Sequence, residues 1–309
     1  MPIIVGSHSP QWGHTYLAEG FGKLYALRSL QEGSYLCVYT MPQTLSEVMT
    51  PDDLENIGEF PTPGQHSCHI TLLEKQAVLS DYTSGTLSLF NLDDDGVPEG
   101  EPELIRFEGC GPDQTRQTSS HIHSSWISPD GNSLVVVDLG SDRIYRYSII
   151  DGRLETKCPE SFDLPAGCGP RHCAFKDEIL YVATELSDEV LVYSYRKMEL
   201  LQRIKVNEML PHGGGHIVVS QDKRYMYVSS RLDNDGIATF LIRPDGMLEK
   251  ISYHKTGSHP RHFALSDDGN LLICVNRDSN NIEWFRTENG ILTKQMEHHH
   301  EKPVFILIK

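Results

Sequence analysis

No stretch of this 309-residue chain reaches the ~18 consecutive apolar residues that a membrane-crossing helix needs. The first eight residues, Met1 to His8, hold neither the basic nor the apolar segment of a secretory signal. Cysteine is sparse and unpatterned: seven residues, at 37, 68, 110, 158, 168, 173 and 274, with no C-x-x-C pair and no zinc-like spacing. An odd set of scattered thiols suits a reducing compartment, so the cytosol is the expected location. Basic residues are also short, 27 Lys and Arg against 43 Asp and Glu, for a net charge of −16. A surface that acidic repels phosphate backbones and anionic headgroups, which argues against nucleic-acid and membrane partners. Helical periodicity is missing as well. One weak candidate lies near Thr50 to Asn56, and nothing else suggests an amphipathic helix of about ten residues.

What is present is a repeat. The turns Ser128-Pro129-Asp130-Gly131, Ser220-Gln221-Asp222-Lys223 and Ser266-Asp267-Asp268-Gly269 share one phase, with 92 residues between the first two and 46 between the last two. Each leads into a short β-rich run: Leu134 to Val137, Tyr225 to Val228 and Leu271 to Val275. Alternating strands such as Ile144-Tyr145-Arg146-Tyr147 and Ile282-Glu283-Trp284-Phe285 follow, then Asp-Gly or Asn-Gly turns at Asp151, Asp245 and Asn289. Four short strands per unit of about 40–50 residues is the pattern of a propeller blade, whereas a β-sandwich has no fixed phase. Six full units start near His14, His66, His121, Arg171, His212 and His259. A lone strand, Pro303 to Ile308, then remains, with Ile3 to Gly6 as its expected partner. The expectation is an all-β single domain over 1–309, a β-propeller of seven blades whose closing blade is incomplete.

Equivalent positions of a propeller lie in a ring, so residues distant in sequence converge. The residues that end the second strand of blades two to six read as Asp81, Asp138, Glu185, Arg231 and Arg277. A turn position would repeat one small polar type; an acid followed by two arginines suggests a mouth with one acid/base and two anion-binding groups. The first strands open with His69, His121-Ile122-His123, Arg171-His172, His216 and Arg261-His262. Strand alternation would place His121 and His123 on one face. Glu185, His123 and His216 could supply three metal donors, but Arg171, Arg231 and Arg261 would repel a cation. Neither a metal nor another cofactor is expected. The run Glu297-His298-His299-His300-Glu301 reads as a solvated loop.

These residues resemble the seven-bladed lactonase family, which includes propeller-type 6-phosphogluconolactonases and fungal carboxy-muconate lactonising enzymes. The likeness rests on Gly111 to Gln117, His121 to Ser124, Ser128 to Gly131, Val137 to Arg143, Gly169-Pro170-Arg171-His172, Glu185-Leu186, Tyr227 to Arg231 and His259 to Phe263. It departs at His216-Ile217-Val218, where the family carries Glu-Ile-His, and at Arg28-Ser29, where it carries Asn-Glu. The resemblance implies a catalytic set of His123, Arg171, Glu185 and Arg231. His123 or Glu185 would be the base that takes a proton from water. Arg171 or Arg231 would face the oxyanion of the opening lactone. His69, Arg116, His121, Asp138, His172, His216, Arg261 and His262 are the substrate-binding candidates, with Arg116 and Arg261 as spare forks for a phosphate or carboxylate. The implied partner is a small anionic lactone or sugar acid. A muconate-type cycloisomerase and a non-catalytic propeller are the alternatives.

Overall fold

The computed structural model describes residues 1–8, 13–30, 33–42, 44–210 and 213–309, so His212, one expected blade start, lies outside the described residues. The chain divides into two compact units, one of residues 1–169 with Lys309, the other of residues 170–308.

The first unit holds three antiparallel sheets. Their strands are His14–Gly20, Lys23–Leu30, Gly33–Thr40 and Asn56–Pro61; Ser67–Leu72, Gln76–Asp81, Thr86–Leu92 and Pro98–Arg106; and Ile122–Ile127, Ser133–Asp138 and Arg143–Ile150, with Glu160–Asp163 in fourth place. A short strand, Ile3–Ser7, pairs in parallel with Val48–Met49. The second unit holds three more sheets: Pro170–Lys176, Ile179–Thr184, Glu189–Ser194 and Glu199–Lys205; Gly214–Val219, Tyr225–Ser230, Gly236–Ile242 and Leu248–Lys255; and Pro260–Leu265, Leu271–Asn276, Asn281–Glu288 and Ile291–His299. Pro303–Ile308 follows. The fold is an all-β propeller of seven blades. The weak helical pattern near Thr50 is a 3-10 turn, Pro51–Asp53, closed by Thr50 N–H and Oγ1–H donating to Asp53 Oδ2 at 2.7 and 3.0 Å.

Position within a blade decides composition. Second strands such as Ser133–Asp138 are buried on both faces and read as unbroken apolar runs, while the outer strand Ile291–His299 is almost wholly exposed. That outer strand takes in His298 and His299, which the sequence suggested were loop. The core lies in layers between neighbouring sheets. Leu87, Leu89, Leu134 and Val136 pack together in the first unit, and Val190, Val192, Met226 and Phe240 in the second. Each such side chain contributes about 1.5–3 kcal/mol on burial.

The repeated turns carry one hydrogen-bond pattern. Ser128 Oγ donates to Asp130 Oδ1 at 2.6 Å and accepts from Ser133 N–H at 3.0 Å. Ser220 and Ser266 do the same with Asp222 and Tyr225, and with Asp268 and Leu271. The fourth turn residue is left-handed in all three: Gly131 at φ 73°, Lys223 at 57° and Gly269 at 69°. At the chain ends, Lys309 N–H donates to the Pro2 carbonyl at 2.9 Å, beside the strand expected to take part in closure.

Candidate active site

A register slip recurs in the first strand of every four-stranded sheet. Pro170 pairs with Thr184 and His172 with Ala183, so Arg171 is an extra, bulged residue. By the same count Cys68 is bulged between Ser67 and His69, His123 between Ile122 and Ser124, and Arg261 between Pro260 and His262. Between Gly214 and Ile217 the extra residue falls within Gly215 and His216. A bulge interrupts alternation and re-aims side chains. Three of the residues singled out in the sequence, His123, Arg171 and Arg261, are therefore delivered by one backbone device. His121 and His123 do share a side, both against the Tyr82 ring, but through the bulge rather than through strand alternation.

Register also corrects the ring of second-strand ends. Ile122, Pro170, Gly214 and Pro260 pair with Asp138, Thr184, Ser230 and Asn276, which are spaced 46, 46 and 46 apart. Glu185, Arg231 and Arg277 each stand one residue later, in phase with Tyr82 and Leu139. Asp138 is consequently a turn anchor. It is fully buried, and its carboxylate accepts from Ser120 Oγ, His121 N–H (2.8 Å), Gly140 N–H (2.9 Å) and Ser141 Oγ (2.6 Å). Asp81 plays the same part with Ser67, Thr86 and Ser88.

In the second unit the structure gathers Arg171, Glu185 and Arg231. Glu185 Oε2 accepts from Arg171 Nε at 3.0 Å and from Arg231 Nη2 at 2.8 Å, and all three residues are at least nine-tenths buried. One carboxylate between two guanidinium groups leaves a net charge of +1. Buried charges are tolerable only when their remaining donors are satisfied, and here the main chain does that. Arg171 Nη1 donates to the Gly215 carbonyl at 3.0 Å, Arg231 Nε to Gly213 at 3.1 Å, and Arg231 Nη2 to Gly214 at 2.9 Å. None of the three glycines has room for a side chain, and a Cβ on Gly213 would stand 2.7 Å from the Arg231 carbonyl oxygen. A Cβ on Gly214 would stand 2.0 Å from the Thr184 carbonyl oxygen, and one on Gly215 would stand 2.3 Å from Ser229 Oγ.

Two of the predicted histidines join this cluster. His172 Nε2 lies 3.1 Å from Arg171 Nη1, and His172 Nδ1 lies 2.8 Å from His216 Nδ1. His262 stacks on His216 with centroids 4.1 Å apart. Sequence reasoning passed over His259, whose Nε2 is 3.3 Å from Arg231 Nη1 and whose Nδ1 faces Arg277 Nη2 and Asp278 Oδ2 at 3.3 and 3.4 Å. Burial first, and then Arg231, Arg277 and Arg261, lower the His259 pKa to about 3, so the ring is neutral. A neutral ring has one bare nitrogen, so it accepts from either Arg231 or Arg277 and not from both. The signal for His259 was its place before Pro260-Arg261-His262; the glycine carbonyls had only the Gly213-Gly214-Gly215 run.

In the first unit Tyr82 is the focus that the sequence did not reveal. His121 stacks on it at 4.6 Å, His123 meets it edge-on at 5.6 Å, and Arg116 Nη2 donates to its hydroxyl at 3.1 Å. His69 is placed elsewhere, between Tyr16 (4.4 Å) and Trp126 (4.8 Å), where these rings line a cavity of about 290 Å³. Among the described residues no three His, Cys, Asp or Glu side chains group as a metal site would require.

The pattern described as "Lactonase, 7-bladed beta-propeller" matches residues 17–308. A 6-phosphogluconolactonase of Bacillus subtilis (strain 168) is 33% identical over 245 residues, 74% of this chain and 69% of that one. One from Formosa agariphila is 31% identical, covering 78% and 73%. A crystal structure of a candidate 6-phosphogluconolactonase from Bacteroides fragilis NCTC 9343 superposes with a TM-score of 0.91 at 26% identity, over 99% of this chain and 96% of that one.

Proposed function

Because the chain belongs to the seven-bladed β-propeller lactonase family, we propose that it hydrolyses a phosphorylated sugar lactone, 6-phosphogluconolactone or a close relative. Water attacks the ring carbonyl as it gives a proton to the base, the tetrahedral oxyanion is stabilised by the guanidinium pair, and on collapse the ring C–O bond breaks while the departing ring oxygen takes the proton back, giving the sugar acid. The observation that carries this reading is the pair Arg171 and Arg231 held on a single carboxylate oxygen in a buried, bulge-built site. Fixed positive charge in a low-dielectric setting is what a developing oxyanion needs, because it costs no reorganisation as the charge appears. Glu185 keeps both cations in place and is one base candidate for the water proton. His123 is the second base candidate, by resemblance. Arg261, one of the three arginines that act with burial to keep His259 neutral, is the candidate for the substrate's phosphate.

The test is pH-stat titration of freshly prepared 6-phosphogluconolactone, with unphosphorylated gluconolactone as a second substrate. Acid release well above the spontaneous rate, faster on the phosphorylated lactone, is expected. A rate equal to the spontaneous one on both would overturn the proposal.

A further inference from the structure

The tautomers of two buried histidines beside Arg171 follow from the groups around them. A guanidinium only donates, so His172 Nε2, 3.1 Å from Arg171 Nη1, is a bare acceptor and the His172 proton sits on Nδ1. That nitrogen lies 2.8 Å from His216 Nδ1, so it donates there, and His216 carries its own proton on Nε2. A second proton on His172 would set N–H against the guanidinium, and one on His216 would set N–H against N–H. Both rings are about 3–4% exposed and meet edge to face, at 86° with centroids 5.0 Å apart. The two bulges make the pair possible. His172 directly follows bulged Arg171 yet reaches the same cluster, and His216 stands in the next sheet's bulge with its backbone N–H on Ser229 Oγ at 2.9 Å. His262 stacked on His216 and Phe263 at its edge fix the plane of that ring.

We propose that His172 and His216 are a positioning pair for Arg171, a directional chain of hydrogen bonds that sets the plane of the guanidinium. The Glu185 oxygen that Arg171 uses is shared with Arg231, so on its own it leaves Arg171 able to swing about the Nε–H bond. His172 and the Gly215 carbonyl take both protons of Nη1 and stop that swing. The pair acts through Arg171, and its effect on turnover rests on the lactonase reading.

Two measurements test it, one without any activity. Nitrogen-15 spectra of the folded protein, with the His172 signals assigned by their loss in His172→Gln, should show Nε2 unprotonated and Nδ1 protonated; the reverse tautomer would overturn the proposal. Slow hydrogen exchange at Arg171 Nε–H should persist in His172→Gln, which places a carbonyl oxygen where Nε2 stands, and be lost in His172→Leu. On lactone, His172→Leu should lower kcat ~10–100-fold with KM little changed, the cost of a misplaced catalytic group, and His172→Gln should recover at least tenfold of a large loss. Equal exchange in the Leu variant and the wild type, or a Gln variant as poor as Leu, would contradict it. Absence of lactone turnover in the wild type would instead count against the lactonase reading, leaving the spectra and exchange rates to judge the pair.

Discussion

Asp188 sits one turn beyond Glu185, fully buried, with its Oδ2 accepting from Ser230 Oγ at 2.5 Å and its Oδ1 without a hydrogen-bond partner among the described residues. Burial raises its pKa to about 6, against smaller opposing pulls from Ser230, Arg231, Lys205 and Lys250. Asp81 is likewise raised to about 6 by burial. A carboxyl with a raised folded-state pKa binds its proton more tightly when folded, so its contribution falls as pH climbs from about 4 to about 6. His14 and His259 are lowered to about 4 and about 3, chiefly by burial, so their contribution rises with pH over that window and is complete above the unfolded value near 6.5. The two pairs oppose each other between about pH 4 and 6. Asp188→Asn removes one falling term. Its unfolding free energy from urea titration should exceed that of the wild type at pH 8, by up to ~3 kcal/mol for a shift of about two pH units, with the gain shrinking towards pH 4. An Asn variant equally destabilised at both pH values would mean that Asp188 is held ionised.

At the scale of elements, the turns and the bulges make different demands. Gly131 has open space around the position of a Cβ, so Gly131→Ala tests backbone strain alone at φ 73°. About 1 kcal/mol of lost stability is expected, measured by chemical denaturation, with turnover unchanged. Gly214→Ala is a different case, since its Cβ would collide with the Thr184 backbone. It should cost at least ~2 kcal/mol and depress turnover, because the carbonyl that takes Arg231 Nη2 must move. A Gly214→Ala enzyme with wild-type kcat would show that these carbonyls do not hold the site. The same contrast explains what could be read from the sequence. Ser128, Ser220 and Ser266 advertise the blades because each turn needs the same side-chain hydrogen bonds. The bulges leave no such mark in residue type, and the end of a second strand leaves little more: Thr184, Ser230 and Asn276 hold the positions of Asp81 and Asp138, with Glu185, Arg231 and Arg277 one residue beyond, so a turn anchor was grouped with site residues. Val48–Met49 is too short for any periodicity, and the contribution of Gly213 to Gly215 is main-chain oxygen, which no residue type announces. Tyr82, on the other hand, occupies the position equivalent to Glu185, and correct register alone would have found it.

For the whole molecule, a net charge of −16 surrounds a buried cluster that is locally positive. Long-range repulsion of an anionic sugar phosphate should matter only at low ionic strength, where the Debye length is ~30 Å, and fade at ~8 Å under physiological salt. Modest growth of kcat/KM with added salt, within about threefold, is therefore expected. A steep fall with salt would mean that a positive face, not the acidic surface, controls approach.

The central claim is that Arg171, Glu185 and Arg231 form the catalytic centre of a lactone hydrolase. Its most direct test is the initial rate of 6-phosphogluconolactone hydrolysis for Arg231→Lys and Glu185→Gln beside the wild type, each variant first shown to be folded by its far-ultraviolet circular dichroism. The account predicts losses of ~10²–10³ in kcat for both, since lysine keeps the charge but not the fork that reaches Glu185 and Gly214 together. Folded variants that hydrolyse the lactone at the wild-type rate would contradict it.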